Sequence, residues 1–419
     1  MIIKIAVIAA VTLVFLYGLL LNRLKQTSAR NPIPPCVADV YDAETYARQQ
    51  EYNAEKCRLN YWNMTAGFVI DLILLIFNIY AAFAGLFRSD DWTQMFAVIL
   101  LNTAASLLTL PFSYRDTMVI EEKYGFNRTS KKTFVIDTVK ELVIQFGILL
   151  GIGSALLGLH QRFGDWLILI FAAVMTVFML FFSFIYPLLS RIFNKFTPLP
   201  EGELRDRLTA LLEKNGYKVR AINVMDASRR STKSNAYFAG FGKMKTIVLY
   251  DTLLERMTDD EICAVFAHEL GHGLHKDTLR NQVLNFLQML IIGLLAWLTL
   301  RTPALFQAFG FDRVNYGFAL ILIMTVEFAL FTPLFGFLTN SFSRRAEYRA
   351  DAHAAREGFA GALVSGLKKL ARENFSDVAP SPLLVALTYS HPTLAQRIRA
   401  LEKTERERSP RPENREEEV

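Results

Sequence analysis

Cysteine, histidine and tryptophan are scarce in this chain: three, six and four residues among 419. Three cysteines exclude a disulfide scaffold, although Cys36 and Cys57 would pair if their loop faced an oxidising compartment. No basic segment interleaved with aromatic residues is present, which removes nucleic acid from the candidate partners. No internal repeat is visible, and no small-residue cleavage site follows the first apolar run, residues 2–21. That run is therefore expected to stay in the chain as a helix, rather than leave as a signal peptide.

Apolar residues are abundant, at 52% with 33 Phe, which is too much for a soluble protein of this length. Further apolar runs fall at 66–87, 92–114, 135–159, 166–189, 283–300 and 317–338. Each is about twenty residues, enough to cross a hydrocarbon core of roughly 30 Å. The expectation is an all-α membrane protein with seven transmembrane helices, interrupted by a charged α+β insert. The segments are 1–190 with five spans, the insert at 191–280, two spans at 281–340, a helical part at 341–401, and a disordered tail at 402–419. Eleven Lys and Arg of short loops lie on the insert's side, against Arg88, Arg162, Arg301 and Arg313 opposite. This bias puts the insert in the cytoplasm, with Cys36 and Cys57 as free thiols, and Lys4 argues weakly the other way. Asp71, Asn78, Asn102, Gln145, Asn285, Gln288 and Glu327 lie within the spans, which suggests a hydrated interior.

The insert ends in TDDEICAVFAHELGHGLHKD, residues 258–277. Thr258 and Glu261 form a capping-box pattern that should start a helix running to about His275. On that helix His268 and His272 share a face, so both imidazoles can reach one zinc ion while Glu269 projects beside them toward a bound water. His275 is about 10 Å along the axis from His268 and cannot close the same tetrahedron. The third ligand must come from elsewhere, and one zinc per chain is expected. A closed structural site would be rich in Cys, and Cys263 lies off the face of His268.

Three other segments bear on this site. In SFSRRAEYRADAHAA, Glu347 and Asp351 share a helix face, so one can complete a His-His-Glu site while the other orients a histidine. Spacing does not say which, and both acids could equally pair with neighbouring arginines. SNAYFAGFGKMKTIVLY reads as two strands joined by a turn at Gly240 and Gly242. Its edge, from Asn235 to Phe238, could hold an extended peptide or could be an ordinary hairpin. YSHPTLAQRIRAL places His391 before a helix carrying Arg397, and a lone histidine at such a place is commonly structural.

Together FAHELGHGLHKD, SRRAEYRAD, SNAYFAGFGKMKTIVLYDTLL, SHPTLAQRI and VIEEKYGFNRTS resemble the CAAX prenyl protease 1 family of integral-membrane zinc metalloproteases, over nearly the whole chain. The resemblance implies seven transmembrane helices around a water-filled chamber faced by a zincin-like site. It makes His268, His272 and Glu347 the zinc ligands, Glu269 the catalytic base and Asp351 the partner of a zinc-bound histidine. Asn235 becomes part of the substrate-binding edge, and His391 and Arg397 become substrate or transition-state contacts. Shortness and the lack of an endoplasmic-reticulum retrieval signal resemble the bacterial branch, whose members would sit in the inner membrane. The function implied is endoproteolysis of membrane-associated or C-terminal, CaaX-like peptides, prenylated or not. A membrane quality-control protease and a non-enzymatic membrane protein with a structural zinc are the alternatives. Nothing in the sequence sets an oligomeric state.

Overall fold

The computed structural model describes residues 1–216, 218–233, 236–239, 244–275 and 277–408. Among them, six helices are long and apolar enough to cross a membrane: Ile2–Ser28, Ala43–Ile76, Asp91–Glu121, Lys131–Phe163, Arg280–Leu300 and Tyr316–Arg356. The helix Leu167–Phe193 adds a shorter apolar stretch, Leu169–Phe181. Helices meet here by close approach rather than by hydrophobic expulsion, because lipid tails are as apolar as leucine. Gly317 shows this directly: a Cβ there would stand 2.6 Å from the Met95 carbonyl oxygen. Phe306, Phe309, Phe318, Met95 and Ile99 fill the core around that crossing.

Two expectations change at the span ends. The second span begins well before residue 66, in a helix from Ala43 whose first turn is capped by Asp42, 2.8 Å from the Thr45 amide. That cap stabilises it by about 1 kcal/mol. The same helix stops at Ile76, and the chain turns through Asn78 at φ 53 before a short helix, Ile79–Ala84. Lys4 explains the break. Its ammonium donates to the Ile76 carbonyl at 2.8 Å and to Asn78 Oδ1 at 2.7 Å. The charge read as a hint of orientation thus satisfies an exposed helix end. At the other terminus, the tail expected to be disordered from 402 is helical as Leu394–Arg408, because Leu394, Ala395, Ile398 and Leu401 pack inward. Residues 409–419 lie outside the described residues.

The insert holds a four-stranded sheet in the order β1-β2-β4-β3, with β1 Phe196–Pro198, β2 Lys218–Met225, β3 Ala236–Ala239 and β4 Met244–Tyr250. β2 and β4 are parallel, and β1–β2 and β3–β4 are antiparallel, with Ala236 opposite Leu249. The expected strand pair is therefore half of a larger sheet, and its turn at Gly240 and Gly242 falls outside the described residues. β3 is an edge with one neighbour. Leu208 and Leu212 of the helix Glu203–Lys214 pack with Leu249, Leu253 and Phe266 in a second, water-side core. Each such residue contributes roughly 1.5–3 kcal/mol of burial.

Candidate metal centre

The motif helix spans Asp259–Leu274. Its capping box is complete: the Thr258 amide donates to Glu261 Oε2 at 2.9 Å, and the Glu261 amide to Thr258 Oγ1 at 3.3 Å. Glu261 also accepts from Ser365 Oγ at 2.6 Å and Lys369 Nζ at 2.7 Å, which ties the helix start to the helix Ala360–Glu373. Ile262, Cys263, Ala264, Phe266, Ala267 and Leu270 are buried, so the helix is held on nearly every side. Burial pushes the Cys263 thiol up to about 11. The helix ends at His275, whose Nδ1 lies 2.8 Å from the Gly271 carbonyl and so donates to it.

A second helix, Phe328–Arg356, crosses the motif helix and carries Glu347 and Asp351, both buried. The crossing is tight at Gly271, where a Cβ would stand 2.7 Å from Ala350 Cα. This closeness lets one carboxylate reach both histidines. His272 Nε2 is 3.1 Å from Glu347 Oε1 and His268 Nε2 is 3.5 Å from Glu347 Oε2. The two rings stand at 90°, with centroids 4.9 Å apart. One donor atom from each of His268, His272 and Glu347 lies within 4.8 Å of the others.

Each ring's other nitrogen faces an acid. His268 Nδ1 is 2.9 Å from Asp351 Oδ1, and His272 Nδ1 is 3.1 Å from Asp277 Oδ2. A carboxylate on Nδ1 holds the proton there and leaves the Nε2 lone pair for a metal. Glu347 Oε2 is buried without a hydrogen-bond partner, the condition of an oxygen that awaits a cation. Two imidazoles and a carboxylate with an open fourth position suit a divalent ion such as zinc. Without metal, burial opposes the charged ring of His268. The Asp351 carboxylate at 2.9 Å and the negative charge of nearby Glu347 outweigh it and push this group up to about 9. His272 is raised as well, burial again being outweighed by its bond to Glu347.

Arg397 makes a double contact with Asp351, Nε at 2.9 Å and Nη2 at 2.6 Å, and is 9% exposed. Its Nη1 lies 3.6 Å from Glu347 Oε2. Its head is thus held by the acid that holds His268. His391 lies on the open side, with Nε2 3.3 Å from Glu347 Oε1 and Nδ1 2.9 Å from Ser390 Oγ. Glu269 is half-buried on the motif helix. Asn235 lies outside the described residues. Sequence reading missed Asp277. Its one signal is position, five residues past His272, as the first residue of the helix Asp277–Leu300. Arg349 at 2.7 Å and Arg280 at 3.1 Å hold Asp277 Oδ1, leaving Oδ2 for His272.

A multi-pass helical bundle joined to a sheet-bearing unit, with two histidines and a glutamate converging at the junction, defines the class of integral-membrane metallopeptidases. Residues 22–195 match the model of the CAAX prenyl protease N-terminal region with five membrane helices, and residues 198–405 match peptidase family M48. The chain is 32% identical to the CAAX prenyl protease 1 homolog of Arabidopsis thaliana, over 94% of this chain and 96% of that one. It is 30% identical to the human homolog, over 88% of each. The crystal structure of S. mikatae Ste24p matches with a TM-score of 0.87 and 29% identity, over 96% of this chain and 99% of that one. The chain belongs to the CAAX prenyl protease 1 family and is an integral-membrane metallopeptidase.

Proposed function

We propose that the chain is a zinc endopeptidase that cuts membrane-associated or C-terminal, CaaX-like peptides. The observation that carries this is the convergence of His268 Nε2, His272 Nε2 and a buried Glu347 carboxylate. Those three would hold the ion, which when bound supplies Lewis-acid polarisation of the scissile carbonyl and an acidified water. Glu269 takes the proton of the attacking water and returns it to the leaving amine. His391, exposed beside Glu347, donates to the oxyanion as charge develops there. Arg397 acts through Asp351, fixing the ring of His268, and its Nη1 adds positive charge beside Glu347. β3, a sheet edge, would take the substrate backbone as an added strand, with Asn235 at its start.

Seven spans, with Leu167–Phe193 as the fifth, and a hydrated chamber complete this reading. Asn102 accepts the Tyr80 hydroxyl at 3.0 Å, while Asp71, Asn285 and Gln288 are only half-buried. The membrane proposed is a bacterial inner membrane. Identity to plant, human and yeast relatives is nearly level at 32%, 30% and 30%, as expected of a chain outside all three lineages. The basic loops put catalysis in the cytoplasm. Asn31, Asp39 and Tyr41 bond to Ala379, Lys368 and Ala371, so the first loop shares the side of the metal centre. Cys36 is then a reduced thiol that an impermeant reagent reaches only after the membrane is opened. Labelling in sealed cells would reverse the orientation. The function itself is tested by incubating purified protein with matched prenylated and unprenylated CaaX peptides and identifying the products by mass spectrometry. Metal-dependent cleavage of either one by the wild type, and none by Glu269→Ala, is expected. Cleavage of neither would remove the substrate class.

A further inference from the structure

The loop VIEEKYGFNRTS is quoted by the family resemblance, yet the metal centre uses none of it. It links the span Asp91–Glu121 to the helix Lys131–Phe163, and the fold fastens it to the strand-bearing insert. Asn127 bridges Ser231 in antiparallel fashion. The Arg128 amide donates to the Arg230 carbonyl at 3.0 Å, and the Thr232 amide to the Phe126 carbonyl at 3.2 Å.

At the end of this seam stands Lys233, three residues before β3. Its ammonium is 3.0 Å from Glu121 Oε2 and 3.1 Å from the Tyr52 hydroxyl, and it lies over the Phe126 ring at 4.8 Å. Glu121 is the hub of this cluster. Its Oε1 accepts from Tyr52 at 2.6 Å and from Lys56 at 3.0 Å, and Lys56 also reaches Asp116 at 2.5 Å. Two lysines and two carboxylates balance. The Lys233 backbone is held from the other side, where Thr252 Oγ1 donates to its carbonyl at 3.0 Å just beyond β4. Asp251 accepts the Ser228 amide at 2.8 Å and the Ser228 hydroxyl at 2.5 Å. Lys233, at the entry to the edge strand, is therefore clamped between the second and third spans and the insert.

We propose that Glu121 and Lys233 are positioning residues for substrate: their ion pair sets the place and register of the β3 edge relative to the membrane half, and so governs peptide affinity. Neither touches the metal centre. The inference rests on the proposed role of β3 as the strand-addition edge. Two residues in one network couple by an amount that corresponds to a change of about tenfold in affinity when one is removed. Lys233→Met and Glu121→Gln should each raise KM for a cleaved CaaX peptide about tenfold, with kcat changed much less and one zinc per chain retained. Glu121→Asp should recover part of the loss. The Kd of the same peptide for the Glu269→Ala protein should rise equally when Lys233→Met is added.

Hydrogen exchange of residues 236–250 in detergent, without any substrate, supplies a readout independent of activity. It should quicken in both variants, while residues 259–274 stay as in the wild type. Exchange of 236–250 unchanged in Lys233→Met, the variant with a half-exposed side chain and little to lose in folding, would overturn the clamp. Faster exchange with KM and Kd both unchanged would overturn its link to substrate. A wild type that exchanges as expected but neither binds nor cuts the peptide would sink the functional reading and leave the clamp standing.

Discussion

Gly271→Ala is the substitution whose consequence can be worked most directly from the structure. The new Cβ would stand 2.7 Å from Ala350 Cα, 3.1 Å from His353 Cβ and 3.2 Å from Ala350 Cβ, while ordinary contact begins at 3.4 Å. The closest neighbour is backbone of a packed helix, so no side-chain rotation relieves the clash. The two helices must part by about 0.7 Å at this point, the shortfall from ordinary contact. His272 is the next residue, and Glu347 lies three residues before Ala350. Ligand distances in a zinc site tolerate about 0.2 Å, so the displacement is several times too large. Zinc affinity should fall roughly 10- to 100-fold, and overpacking should cost about 1–3 kcal/mol of stability. Competition with a chromophoric chelator reads the first effect and a thermal melt the second. Gly361→Ala, where an added Cβ meets nothing within 4 Å, is the control. Wild-type zinc affinity and melting temperature in Gly271→Ala would refute the argument that helix approach sets this site.

Three further outcomes are expected. Glu269→Ala should abolish hydrolysis with zinc still bound, whereas Glu347→Ala should lower zinc occupancy, because a base and a ligand fail differently. Full metal in Glu347→Ala, with loss in Asp351→Ala, would exchange their roles. Asp277→Ala should weaken zinc about 10- to 100-fold by freeing the ring of His272, with kcat at saturating zinc nearly kept. Unchanged affinity in a chelator titration would remove Asp277 from the site. Finally, His268 titrates near 9 in the metal-free protein, above its ordinary 6.5. Its charged-ring bonds stabilise fully below about 6.5 and are lost as pH rises through about 9. Melting temperature of the metal-free protein should fall across that window, while zinc affinity rises, since metal must displace the proton. A metal-free melting temperature that climbs from pH 6.5 to 9 contradicts this.

Local signals carried the motif helix well. Thr258 and Glu261 set its start by their own bonds, and the 3.6-residue period alone put His268 and His272 side by side and left His275 out. What spacing could not settle was which acid faces which nitrogen. That depends on the rotation of the helix Phe328–Arg356 about its axis and on the absence of a side chain at Gly271, both tertiary facts. Asp277 escaped because its role needs Arg349, 72 residues away, to fix its orientation. The early stop of the second span was hidden for the same reason: Lys4 caps it from 72 residues before Ile76. In the sheet, β2 was missed because the pairing that defines it, with β4 on one side and β1 on the other, is non-local.

The rotation just mentioned has its own cause within the membrane. From Tyr316 to Arg356 the chain is one helical rod, but Ile323–Glu327 is wound as a π-helix. Such a bulge adds one residue to a turn, so everything after it is turned by about 100° and shifted by about 1.5 Å relative to an unbroken α-helix. Glu347 and Asp351 therefore face the two histidines in a phase set some twenty residues earlier, inside the apolar span. The segment 341–401 is thus no separable part, because its two acids are aimed by the bilayer-facing end of the same rod. Deleting Met324 should let the rod close to an α-helix with both carboxylates still facing the histidines, because the residue removed and the extra position it occupied cancel, so zinc per chain in the detergent-purified protein should be kept. Deleting Thr339 instead, beyond the bulge, should turn both acids by about 100° and lose the metal. If the Met324 deletion loses its zinc while the protein still melts cooperatively, or the Thr339 deletion keeps it, the bulge does not set the phase of the acids.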